Sequence, residues 1–483
     1  MHYLRLIGKK PRIFLAGVLV TCLVFAALRF KITPNEVLII KRDTSVQWAG
    51  VSDVQPSYHD KFDLFDETSD IRGPDPTILK HPAADDSSSR LSLATHQSKP
   101  TNTEIYQRAR HARQVCLEQP TNLLGISSEQ LVFSRIEISQ EWNYLFCPIL
   151  KVGSTFLRRA FYSLDIYGKV TNPYLIPIER ALKGEIHTLN EMIPLTRPLA
   201  KRFLSLSSSF LIVREPLSRL LSGYMDKLYA PNPFYWDRIG KYIVDKYRSE
   251  ESREEDKCGS TVTFKEFLEY VADEELDNLR INQRDPHFTP AYDQCKVCAL
   301  NYTLIGKMES FREDVYAIMH QIGLDVSQDQ IVEWSSGVVR DAIMDSVESP
   351  FEWKIKVSGC ISWYNSLRRV WRKLQTRGII PLEEKFPWTE EEIERSITAE
   401  DFISKAHLTH LAADKASLKK QKKEVLAMAY SSVDKETIRK VLEAFGPDFD
   451  LFQYDKHPDF LFDHEFINQV VHTLPDIFDY ENI

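Results

Sequence analysis

The chain has 483 residues, 43% of them apolar and 27% charged, with 20 Tyr, 26 Phe and 8 Trp. That is ample core material, and at ~100 to 200 residues per domain it leaves room for two to four domains; with 17 Gly and 24 Pro it is neither collagen-like nor a disordered polymer. The net charge of −8 excludes a general nucleic-acid binder, so any anionic ligand has to be met by a local basic site.

In chain order, the first feature is Ile13 to Leu28, an uncharged run preceded by Arg5, Lys9, Lys10 and Arg12. At ~1.5 Å per residue it reaches about 24 Å, enough for the thinner membranes of the early secretory pathway. The leading positive charge keeps residues 1–12 cytosolic and sends the remainder into the lumen. The reading is an uncleaved signal anchor at 13–28; a cleaved signal peptide is the alternative. From 29 to 104 the text is polar and irregular, with Pro34, Pro56, Pro74, Pro76, Pro82 and Pro100, and it reads as a lumenal stem. A folded domain follows at 105–483.

Six cysteines lie beyond the apolar run: Cys116, Cys147, Cys258, Cys295, Cys298 and Cys360. An even number suits disulfides in an oxidising lumen, but spacing does not select a pairing, and free core thiols remain an alternative. Cys295-Lys-Val-Cys298 has the spelling of half a zinc site, without a second half at the required spacing.

Two strand-loop-helix units carry the chemistry. Tyr144 to Ile149 reads as a strand, Lys151-Val152-Gly153-Ser154-Thr155 as a turn, and Phe156, Leu157, Ala160, Phe161 and Leu164 as one face of a helix. Gly153 permits close backbone approach, Ser154 or Thr155 is placed to cap, and the free N–H groups of the first turn face the loop. With Lys151 beside them this reads as a phosphate or sulfate cradle, with an ordinary capped helix as the alternative for this stretch alone; the full GxxxxGK[ST] pattern of a nucleoside triphosphatase is missing. In the second unit Ser209 to Val213 is a strand and Arg214-Glu215-Pro216 breaks it. Leu217, Leu220, Leu221, Tyr224 and Leu228 then recur at helical spacing. Arg214 sits at the strand's carboxyl end, the usual ligand position of an α/β sheet, and Ser222 lies off the leucine face.

At these residues the chain resembles the Golgi carbohydrate sulfotransferases, in the group containing the chondroitin, dermatan and HNK-1 sulfotransferases. The first signature is similar to Cys147 through Thr155, and the second to Val213-Arg-Glu-Pro-Leu-Ser-Arg-Leu-Leu-Ser-Gly-Tyr224. A third block runs from His287-Phe288 through Cys295-Lys-Val-Cys298 to Tyr302-Thr-Leu-Ile-Gly-Lys-Met-Glu309, and the last is Asp448-Phe-Asp-Leu-Phe-Gln-Tyr454. Leu150, Ser154 and Phe156-Leu157 depart from that group's usual Pro, Cys and Asn-Trp.

The resemblance implies an α/β, P-loop-like sulfotransferase fold, a central parallel sheet flanked by helices, after the N-terminal transmembrane helix. It implies 3′-phosphoadenosine 5′-phosphosulfate as donor, no metal, and a glycan or proteoglycan as acceptor. Leu150, Lys151, Val152, Gly153, Ser154, Thr155 and Phe156 would surround the 5′-phosphosulfate, with Lys151 on the bridging oxygen and the N–H groups of Gly153 to Phe156 around it. Arg214, Glu215, Pro216, Ser218 and Ser222 would surround the 3′-phosphate. The base is left between His287 and His187, with Glu215 a competitor. Residues at about 328–425 exceed the group's usual spacer and read as a helical insertion. Its basic runs, Arg368-Arg369-Val-Trp-Arg372-Lys373 and Lys419-Lys420-Gln-Lys422-Lys423, read as a solvated helix face or as an anionic-glycan groove. Localisation follows as a single-pass type II Golgi membrane protein with a lumenal catalytic domain. The rival readings are a type II Golgi glycosyltransferase, for which Asp448-Phe-Asp450 has the metal-site spelling, and an inactive glycan-binding relative.

Overall fold

The computed structural model describes residues 103–118, 136–183, 206–277 and 284–481. The expected cytosolic tail, the anchor at 13–28, the stem up to residue 102 and His187 all lie outside the described residues. Among the described residues no helix is long and apolar enough to cross a membrane.

Helix α1, Thr103–Glu118, leads into a four-stranded sheet of order β1-β2-β3-β4: β1 is Glu137–Ser139, β2 Tyr144–Cys147, β3 Ser208–Val213 and β4 Leu304–Lys307. β1 is an antiparallel edge on β2, while β2 and β3, and β3 and β4, run parallel. The molecule is therefore mixed α/β around a small, mostly parallel sheet. The near-continuous apolar text of β2 and β3 belongs to parallel strands covered on both faces. Phe146 and Phe210 stack across the pair at 4.9 Å, with Phe161 of helix α2, Ser154–Tyr167, against both. Because Cys147 pairs with Leu211 and Val213 with Lys307, the three parallel strands end on one edge, where Lys151 and Arg214 follow.

Helix α3, Pro216–Tyr224, passes into a wider π-helical turn at Met225–Tyr229. Its apolar face and those of Phe264–Leu276 and Lys415–Ser431 form a second core around Leu217, Leu220, Phe264, Phe267 and Tyr430. A third core surrounds the buried Trp371 of helix α4, Trp363–Thr376.

The six cysteines form three disulfides: Cys116–Cys298, Cys147–Cys295 and Cys258–Cys360. Both members of the CxxC pair are thus committed to different partners, which removes the zinc half-site. The basic run of α4 is neither a solvated face nor a groove. Arg368, Arg369, Arg372 and Lys373 are all buried. Arg372 Nε and Nη2 donate to the Asp479 carbonyl at 3.1 and 2.8 Å, Arg369 Nη1 to the Ser260 carbonyl at 2.8 Å, and Arg368 to the Glu481 carbonyl. Burying guanidinium groups is tolerated because carbonyl oxygens meet them. Lys419, Lys420, Lys422 and Lys423, by contrast, are exposed.

Candidate functional site

The loop after β2 turns twice through left-handed backbone, at Lys151 (φ +70°) and Gly153 (φ +81°). A non-glycine residue rarely takes that conformation, so the loop is held from outside. Arg219 Nε donates to the Leu150 carbonyl at 3.2 Å and Arg214 Nη1 to the Lys151 carbonyl at 3.3 Å. Gly153 is needed on two counts: its φ, and the Phe311 ring, which would lie 2.6 Å from a Cβ placed there.

Gly153 is itself the N-cap of α2, with no side-chain hydrogen bond, so the expected Ser154 or Thr155 cap does not form. The N–H groups of Gly153, Ser154 and Thr155 meet no acceptor among the described residues, whereas Phe156 N–H already donates to the Gly153 carbonyl at 3.1 Å. Phe156 therefore leaves the expected N–H set. Its ring packs with Tyr174, Phe311 and Trp334, and Val152 is likewise buried.

Lys151 does not stand alone. Its Nζ lies 2.8 Å from Asp226 Oδ2, and the same carboxylate takes Lys373 at 2.6 Å and Lys227 at 3.2 Å. Burial lowers the Lys151 pKa to about 8; Asp226 opposes the shift, while Lys227 and Lys373 add to it. Burial pushes Asp226 up, but the three ammonium groups outweigh it and hold the carboxyl well below its ordinary range. Asp226 is accordingly a counter-ion and a poor base. Three cations meet one carboxylate here, and Asp345 adds a second negative charge that also acts on Lys151, so the cluster keeps a positive excess that suits an anionic ligand.

The second unit places Arg214 at the end of β3, where burial lowers its pKa and Glu309 and Glu215 oppose the change. Glu215 turns onto its own helix. Its carboxylate accepts from the N–H groups of Leu217 at 3.0 Å and Ser218 at 2.6 Å, capping α3 with Pro216 at the first turn. That occupation takes Glu215 away from a base role, and it uses the Ser218 amide. Ser222 is half-buried, and its hydroxyl has no hydrogen-bond partner among the described residues. Glu309 braces the unit, accepting from Glu215 N–H and from Tyr454 Oη, each at 3.0 Å.

His287 Nδ1 lies 2.7 Å from Asp285 Oδ1 and 2.9 Å from Tyr235 Oη, and Tyr235 donates to Asp285 Oδ2 at 3.1 Å. Burial lowers its pKa to about 4, against the pull of Asp285 and with help from Lys227 and Lys151. The ring is neutral at pH 7. With its proton on Nδ1 toward Asp285, the lone pair sits on Nε2, which has no partner among the described residues. The two predicted residues are joined by contacts: Lys151 and Lys227 share Asp226, and Lys227 lies 5.1 Å over the ring of Tyr235, whose hydroxyl meets His287; His187 lies outside the described residues.

Arg219 joins the two loops. Besides Leu150, its guanidinium donates to the carbonyls of Pro286 at 3.2 Å and Thr289 at 2.8 Å, so one side chain holds the residue before Lys151 and the residue before His287. Sequence reasoning missed Arg219, Asp226, Lys227, Tyr235 and Asp285, and it named Lys373 only as part of a basic run. Asp285 two residues before His287, and Asp226-Lys227 directly after the second block, were the available signals. Asp448, the first carboxylate of the Asp-x-Asp spelling, is buried and spends both its oxygens on the backbone, accepting from the N–H groups of Ala291 at 2.7 Å and Tyr292 at 2.8 Å.

The sequence model of the Sulfotransferase family matches residues 134–358. The chain is 28% identical to carbohydrate sulfotransferase 14 of Danio rerio over 242 residues, 48% of this chain and 62% of that protein. It is 30% identical to carbohydrate sulfotransferase 9 of Homo sapiens over 190 residues, 39% and 41% of the two chains. With carbohydrate sulfotransferase 8 of Homo sapiens the identity is 32% over 181 residues, 38% and 41%. The matches thus cover less than two thirds of each relative's length. No solved structure matches.

Proposed function

We propose that this chain, whose residues 134–358 belong to the sulfotransferase family, transfers a sulfuryl group from 3′-phosphoadenosine 5′-phosphosulfate to a hydroxyl of a glycan. The observation that carries the reading is that Arg219 ties the loop of Lys151, beside the open amides of α2, to the loop of His287, a neutral ring whose Nε2 is free of partners among the described residues. The donor supplies a sulfuryl group on a phosphate leaving group. Lys151 and the N–H groups of Gly153, Ser154 and Thr155 bind that end and stabilise the charge growing on the bridging oxygen. Arg214 and Ser222 hold the 3′-phosphate. His287 Nε2 takes the proton of the acceptor hydroxyl as its oxygen bonds sulfur and the sulfur–phosphate-oxygen bond breaks, releasing adenosine 3′,5′-bisphosphate. Asp285 and Tyr235 fix the imidazole for that step.

The acceptor is read as a chondroitin-like, dermatan-like or glycoprotein glycan. The setting is read as the Golgi lumen, with the run at 13–28 as a single-pass anchor. The test incubates the protein with donor carrying labelled sulfate and a panel of desulfated chondroitin and dermatan, beside a metal-dependent nucleotide-sugar assay. Sulfate incorporation is expected; glycosyl transfer instead, or glycan binding without turnover, contradicts the reading. Protease protection in intact vesicles tests topology, and digestion of the C-terminal domain without permeabilisation would reverse it.

A further inference from the structure

The family match ends at residue 358, yet one of the cations at the reacting end of the site comes from beyond it. Lys373 lies on α4, its side chain 5% exposed, with Nζ 2.6 Å from Asp226 Oδ1, while Lys151 takes Oδ2 of the same carboxylate at 2.8 Å. Asp226 stands in the π-helical turn after α3, where the widened backbone carries it out of the α-helical register of the preceding leucines. A carboxylate shared so closely by two ammonium groups fixes both, and here it joins helix α4 to the left-handed loop that carries Lys151.

We propose that Lys373 and Asp226 form a clamp through which the C-terminal helical segment positions Lys151 and sets the charge it presents to the sulfuryl donor. This rests on the sulfuryl-transfer reading. Lys373 is a positioning residue: it acts on Lys151 through Asp226 by contact and through space by repulsion. The other groups whose charge acts on Lys151 are Lys227, which repels, and Asp345 of the helix Val338–Glu352, which attracts. Lys151 and Lys227 in turn disfavour a proton on His287. The clamp also accounts for the burial of a lysine that the sequence places among three arginines: Lys373 has a carboxylate partner, where Arg369 and Arg372 have carbonyls.

The two halves of the clamp act on Lys151 with opposite sign. Removing the repelling ammonium in Lys373→Met should raise the pKa of Lys151, and removing the attracting carboxylate in Asp226→Asn should lower it, each by about one unit. Competitive acetylation of the free, full-length protein across pH, read by mass spectrometry at Lys151, measures this without donor or acceptor. On the activity side, Lys373→Met should slow single-turnover sulfate transfer about tenfold and leave affinity for adenosine 3′,5′-bisphosphate within about threefold. Lys373→Arg should recover part of the rate. Shifts of the same sign, no shift in either variant, or an unchanged rate in folded Lys373→Met overturn the clamp. If one variant does not fold, the sign of the other's shift decides. Opposite shifts in the two variants, together with a wild-type protein that neither binds the bisphosphate nor transfers sulfate, would retain the electrostatic clamp and reject the sulfuryl-transfer reading.

Discussion

The two strand-loop-helix units are built on one plan and end differently. In the first, a left-handed glycine is the N-cap and no side chain closes the helix, so three amides at the mouth of α2 face the loop. In the second, Glu215 folds back onto Leu217 and Ser218 and closes the mouth of α3 with its own carboxylate. An open helix start attracts an anion through backbone dipoles, and a sealed one does not. On the proposed reading the first unit binds with amides plus Lys151 and the second with side chains, Arg214 above all, so that the capping residue decides between two kinds of anion site.

The largest effect on stability should come from what ties the units together. Arg219→Met removes donors to three buried or half-buried carbonyls, and at ~1 to 3 kcal/mol per group left unmet the loss should be on the order of 3 kcal/mol or more by denaturant unfolding. An effect below about 1 kcal/mol would mean that the loops hold their places without it. Next comes the seal on the second unit. Glu215→Ala should cost about 1 kcal/mol as a lost N-cap, measured the same way. Ser154→Ala, which removes no hydrogen bond from the first helix, should change stability by less than about 0.5 kcal/mol. If the serine variant proved the costlier of these two, the contrast between open and sealed starts would fail.

Two titrating groups, one in each loop, should bound the pH range of activity. In the proposed mechanism His287 has to be neutral, as it is above about pH 4, and Lys151 has to be charged, as it is below about pH 8. The free-enzyme profile, kcat/KM against pH, should rise through the first value and fall through the second. In Lys151→Arg the fall near pH 8 should vanish, because a guanidinium does not titrate there.

Much of this site is legible in the sequence where local pattern decides it. Apolar runs broken by Gly153 and by Pro216 mark β2, α2, β3 and α3 to within a few residues, and the motif order brings Lys151, Arg214 and His287 forward. The capping use of Glu215 is hidden in the sequence because a carboxylate at the first turn serves a ligand or its own helix with identical spelling. Lys373 is misjudged because a run of basic residues on a helix resembles a solvated face. Only the fold supplies Asp226 and the carbonyls of Asp479 and Glu481 that make burial possible. The cysteine pairing is equally remote from local pattern: Cys295 and Cys298, three residues apart, reach Cys147 and Cys116.

The central claim is that Lys151 acts on charge that develops only as the sulfur–oxygen bond breaks. Single-turnover sulfate transfer by Lys151→Ala at saturating donor, run beside a melting curve, tests it most directly. The expected rate is about a hundredfold lower in a protein that melts near the wild-type temperature, with a smaller loss of affinity for adenosine 3′,5′-bisphosphate. Near-normal turnover in the folded variant would contradict it.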